Sequence, residues 1–171
     1  MEHFRSVFHF VRLGGAMFTP HTDYDFRIYS SDRASSITFY LEQYIHERLP
    51  SMACSIEVTD NKFTGWSHSV WFEIDQLKRF IHELEHLDRL EHADLNAMSP
   101  EEFTISVNRA NKKGDITILY TLSKRQYSLG LPDITLSGGF EFDKEYHMVL
   151  VKNFERLISV GSMGTNLDFT C

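Results

Sequence analysis

The chain has 171 residues, 42% of them hydrophobic and 24% charged, with a formal net charge of −7 and a sequence pI near 5.7. That length suits one domain that buries a core without disulfides, and the acidic balance argues against broad nucleic-acid binding, which needs a basic surface. Two cysteines, Cys54 and Cys171, without metal-ligand spacing fit a reducing compartment, and no apolar run reaches membrane-spanning length.

"MEHFRSVFHFVRLGG" opens the chain with an apolar patch that His9 and Arg12 interrupt, which favours a cytoplasmic start over a signal peptide. Residues 1–25 are expected to form an appendage, with Met17 offering a second start. From residue 26 to residue 60 the pattern is period two. Phe26 and Ile28 alternate with Arg27 and Tyr29; Ile37, Phe39 and Leu41 alternate with Thr38, Tyr40 and Glu42; Ile56 and Val58 share a face. Such alternation in β-branched and aromatic residues indicates half-buried strands. "SVWFEI" (69–74) predicts a further strand, after a turn at "FTGWSH".

A helix is predicted from Asp75, a good N-cap residue. Leu77, Phe80, Ile81, Leu84 and Leu87 form one apolar stripe about four turns long. "ADLNAMSPEE" breaks that pattern. "EFTISVN" and "DITILYTLS" then predict a hairpin across "RANKKG", with Phe103, Ile105, Val107, Ile116, Ile118, Tyr120 and Leu122 inside. "ITLSGGFEF" predicts a strand bent at Gly138-Gly139. Asp143 is expected to cap a second helix that buries Tyr146, Val149, Leu150, Phe154, Leu157 and Ile158 and ends at Gly161, before a loose tail over 160–171. The order predicts a single α+β domain: a twisted, mostly antiparallel sheet with two amphipathic helices packed against it.

"HELEHLDRLEH" (82–92) carries the spacing of a zinc-peptidase helix. His82, Glu83, His86 and His92 match the metzincin pattern His-Glu-x-x-His-x-x-Gly-x-x-His, in which the histidines hold zinc and the glutamate polarises its water. Arg89 stands where that pattern has the glycine that turns the chain back. At about 100° per residue from Leu77, the stripe centres near 340°, whereas His82 and His86 fall near 140° and 180°. Both histidines are therefore expected on a solvated face, shared with Lys78, Arg79, Glu83 and Arg89. No metal or other cofactor is expected, and the zinc peptidase stands as the enzymatic alternative.

Other motifs point to structure. There is no nucleophile elbow, Cys54 reads as a small core residue on a strand, and neither "LGG" nor "SGG" is followed by a phosphate-binding lysine. Trp71 is expected at the sheet–helix junction, and Glu101-Glu102 as helix-start or surface charge.

The ordered landmarks "VTDNKFTGWSHSVWFEIDQLKRFIHELEHL", "ADLNAMSPEEFTISVNRANKKGDITILYTLS" and "LSGGFEFDKEYHMVLVKNFERLI" resemble the WapI-type immunity proteins of bacterial polymorphic-toxin systems, over roughly residues 26–158. The resemblance implies a non-enzymatic protein that binds and neutralises a cognate toxin; that neither nucleic acid nor membrane is a partner is expected from the acidic balance and the lack of a membrane-length apolar run. A tight interface needs buried aromatic or arginine anchors; Trp66 is the candidate, with Arg79 and Glu83 as a charged rim. Edge-strand pairing is another route. A small-ligand-binding or structural module is the third reading, and would need an enclosed apolar pocket.

Overall fold

The computed structural model describes residues 18–124, 130–163 and 167–168. The period-two segments form two antiparallel sheets where one was expected. The first has β1 (Phe26–Tyr29), β2 (Ser35–Ile45), β3 (Ser51–Asp60) and β4 (Phe63–Glu73) in that order. The second has β5 (His92–Asn96), β6 (Phe103–Arg109), β7 (Ile116–Lys124) and β8 (Ile134–Phe142). Between them run α1 (Ile74–Glu85) and the single turn α2 (Leu87–Leu90); α3 (His147–Ser159) follows β8. The two-residue β9 (Leu167–Asp168) lies along β2.

The sheets divide because α1 separates β4 from β5. Hydrogen bonds link their margins: Met98 N–H donates to the Trp71 carbonyl (2.7 Å), and Ser31 N–H and hydroxyl to that of Glu141 (2.8 and 3.1 Å). One core serves both sheets. Phe39 meets the rings of Phe26, Phe72, Phe103 and Phe154, and Phe154 also meets Phe80 of α1. The predicted stripe of α1 is buried throughout, as are the predicted inner residues of β6 and β7.

Several local expectations are corrected. The first helix starts one residue before Asp75: Glu73 holds the N-cap position in extended backbone without a side-chain bond, so β4 passes directly into α1. One orphan N–H of that helix start, at Ile74, donates to the Pro50 carbonyl (3.0 Å). "FTGWSH" is strand rather than turn, because β4 begins at Phe63 and pairs with β3 throughout. β5 lies within the stretch read as a break; Ala93 and Leu95 are buried opposite Val107 and Ile105. Five residues give too short a pattern to register beside a helix. Asp143 does cap, its carboxylate accepting Glu145 N–H (3.0 Å), but what it caps is a 3-10 turn, Lys144–Tyr146. Tyr146 lies in that turn and is exposed rather than buried; Val149 is exposed too, because it sits about 100° round α3 from Leu150, off the face that buries Leu150, Val151, Phe154 and Leu157. After α3 the chain continues into a second 3-10 turn, Val160–Met163, where Gly161 has no room for a Cβ against the Tyr44 ring.

The β3–β4 hairpin is locked to the second sheet. The Tyr120 hydroxyl donates to Asp60 (2.6 Å), as does Ser35 (2.9 Å). Gly138 permits this, since a Cβ there would lie 2.5 Å from the Tyr120 hydroxyl and 2.9 Å from the Asp60 carboxylate. The Tyr120 bond and then the Ser35 bond hold the Asp60 carboxyl below its usual range. A depressed folded value contributes stability that is present above the unfolded pKa of about 4 and is lost as pH falls through the folded value. Tyr120→Phe is therefore expected to cost about 1–2 kcal/mol at pH 7 and to flatten the acid limb of stability, as urea titrations from neutral pH downwards will read.

Cys54 is fully buried, and burial pushes its thiol well above the ordinary range. In a Cys171→Ser chain, whose remaining thiol is Cys54, a thiol reagent is expected to react only as the protein unfolds. Fast labelling in native buffer is the contrary result. No helix among the described residues is long and apolar enough to cross a membrane.

Candidate partner-binding surface

The pleat turns one face of the first sheet away from the core. Registered across it are Arg27, Thr38, Glu57 and Trp66, one residue from each strand. The Arg27 guanidinium donates to Glu57 (2.7 Å) and to the Thr38 hydroxyl (2.6 Å), and it lies over the Phe18 ring. Tyr40, one row along, meets Phe18, His21 and Trp66, with centroids 6.0, 4.9 and 5.3 Å away. Burial, and next the nearby Glu57 charge, raise the Tyr40 phenol pKa.

Residues 18–25 belong to this face and are not a separate appendage. The buried Asp25 carboxylate accepts N–H bonds from His21 (2.7 Å), Thr22 (2.7 Å) and Leu41 (2.8 Å), which binds the segment to β2. Residues 1–17 lie outside the described part of the chain. In the expected loose tail, Val160 is buried and Leu167–Asp168 pair with β2; 164–166 and 169–171 lie outside the described residues.

Two irregularities shape the surface beside Trp66. The β2–β3 register shifts between Leu41 and Gln43, and the β3–β4 register between Cys54 and Ile56. The second shift sets His68 and Ser69 opposite the single residue Ser55, and Ser69 takes a left-handed φ of 54°. Bulges re-aim side chains, at the cost of local strain. Glu42 holds this one together: it accepts the Ser69 N–H and hydroxyl (both 3.0 Å) and a short bond from the Ser55 hydroxyl. His68 Nδ1 lies 2.8 Å from the Ser55 hydroxyl and receives the Trp66 indole N–H (3.2 Å). Serine, histidine and glutamate thus meet, but a nucleophilic relay needs serine and carboxylate on opposite ring nitrogens. Here both approach Nδ1. The arrangement instead fixes Trp66, whose ring is held between Tyr40 and His68 while 39% of the residue stays exposed.

Trp66 and His68 also border a cleft of about 770 Å³ that includes Glu101, Glu102 and Lys124. Burial raises the Glu102 pKa. Under Tyr29 and Tyr146 a smaller cleft, near 170 Å³, opens between β1 and α3. That is below the roughly 300 Å³ at which small-molecule sites begin.

The charged helix face is organised differently from its expectation. No hydrogen bond, ion pair or ring contact joins Trp66 to Arg79 or Glu83 among the described residues. Glu83 is only 25% exposed, because its carboxylate accepts the Asp94 N–H on the edge strand β5 (3.2 Å) and lies 3.7 Å from Arg79. His82 and His86 come together with ring centroids 4.4 Å apart, and Glu85, rather than Glu83 or His92, stands with them. The chain turns at Glu91, which has a left-handed φ of 65°, two residues beyond the metzincin glycine position. His92 then enters β5 opposite Asn108.

Sequence reasoning singled out Trp66, though in a turn rather than on β4, and did not single out Glu42, Ser55 or His68. Their only sequence signal is a lapse in alternation around 42 and 67–69, which does not show what meets across strands. Comparison with family models, with curated proteins and with solved structures gave no match to this chain. Fold and surface define a two-sheet α+β protein presenting an immobilised tryptophan on an outward sheet face.

Proposed function

We infer that the chain is a non-enzymatic immunity protein, which binds a toxin domain through the outward face of its first sheet and blocks it. The observation that carries this reading is Trp66, half exposed yet held by Tyr40 and His68. Protein interfaces centre on such aromatic anchors, and an anchor already fixed in the free protein loses little entropy on binding. Glu101 and Glu102 in the adjoining cleft, with the formal charge of −7, suit a basic partner surface. The reading agrees with the resemblance to WapI-type immunity proteins.

The test is protection. Each toxin-like reading frame encoded beside this one is induced in a host with and without the chain. Growth restored by the chain, together with a stable complex of the two purified proteins, is the expected result. Toxicity unrelieved for every such neighbour overturns the reading.

A further inference from the structure

We propose that His82, Glu85 and His86 form a surface site for one divalent late transition metal ion, with zinc as the natural occupant. The three side chains rise from the last turn of α1, and their ligand atoms all lie within 4.8 Å of one another. Rotation of the exposed His82 and Glu85 side chains closes that spacing around the half-buried His86 to the roughly 2 Å metal–ligand bonds of a zinc site.

Three further observations point to a metal rather than a crowded surface. First, His86 Nδ1 lies 2.9 Å from the His82 carbonyl. Its proton donates there, which leaves the Nε2 lone pair free; metal-binding histidines are commonly oriented by such a bond. Second, the side chains of His82 and Glu85 make no hydrogen bond or ion pair among the described residues, so no protein contact competes for them. Third, the ligands sit at the carbonyl end of α1, whose dipole favours positive charge. The donor set of two imidazoles and one carboxylate suits zinc, cobalt, nickel and copper and disfavours calcium or magnesium. Three protein ligands leave one tetrahedral position open, to water or to a side chain of a binding partner.

This set differs from the peptidase pattern in its third ligand, and the experiment turns on that difference. The untagged full chain is titrated with Co²⁺, read by its visible absorption, and with Zn²⁺ by competition. One ion per chain at micromolar affinity is expected, with a rise in melting temperature of about 5 °C at saturating zinc. His82→Ala and His86→Ala should each weaken binding by about tenfold or more, Glu85→Gln by somewhat less, and His92→Ala not at all. Binding unchanged in His82→Ala and His86→Ala overturns the site, as does a failure to bind below millimolar metal. Loss of binding in His92→Ala overturns it too, by giving the third position to His92.

Discussion

Trp66→Ala is expected to weaken the complex with the proposed toxin partner by about 2–4 kcal/mol, or roughly 30- to 1,000-fold in Kd. The effect is large because truncation removes an apolar ring already in its binding position and leaves the partner's pocket empty. Folding should survive. The indole lies on the outward face, and losing its Tyr40 and His68 contacts costs the free protein about 1 kcal/mol. Glu42→Ala is the informative companion. It leaves the indole but releases the bulge at Ser69, so it should lower stability more than Trp66→Ala and affinity less. Calorimetry of both variants separates these effects. Unchanged affinity in Trp66→Ala would remove this face from the interface while leaving the immunity reading to the protection assay.

Phe154→Ala should cost about 3–5 kcal/mol of unfolding free energy, a substantial share of the roughly 5–15 kcal/mol typical of a domain. Phe154 is fully buried, and its ring meets Phe26 and Phe39 of the first sheet and Phe80 of α1 edge-on. Removing it opens a cavity where three elements meet, and none of them moves inward without disturbing the other two. Leu119→Ala is the control: Leu119 is 52% exposed on β7, and its loss should stay within about 0.5 kcal/mol. Urea denaturation of both variants decides this. A cost below about 1 kcal/mol for Phe154→Ala would mean that α3 does not pack as described.

Much of this architecture is legible along the chain, where the physical signal is local. Alternation over 103–122 marks which side of β6 and β7 meets the core, whereas β2, expected to be half-buried, is buried on both faces over residues 35–41. The Leu77–Leu87 stripe marks the buried side of α1 and α2. Those same angles place His82 away from the core, where it is found exposed. The legible part ends where a residue's environment comes from a distant segment. Glu83 looks like one more solvated charge on its helix; the N–H of Asp94 draws it inward. Val149 is apolar and adjoins the stripe, but packing turns α3 towards Val151 on the other side of Leu150, which leaves Val149 exposed.

The sequence by itself determined the α+β class, the inner residues of the main strands, and the buried face of the first helix, because period and composition act over a few neighbouring residues. Only the tertiary structure decided that the strands divide into two sheets around one phenylalanine core. It alone brought Glu42, Ser55 and His68 together beneath Trp66, and it gave His86 the partners His82 and Glu85 instead of His92. The reason is that sheet order, bulges and the φ of single residues such as Ser69 and Glu91 are set by pairing between segments far apart in the chain. Such pairing leaves little trace in the residues on either side of the contact.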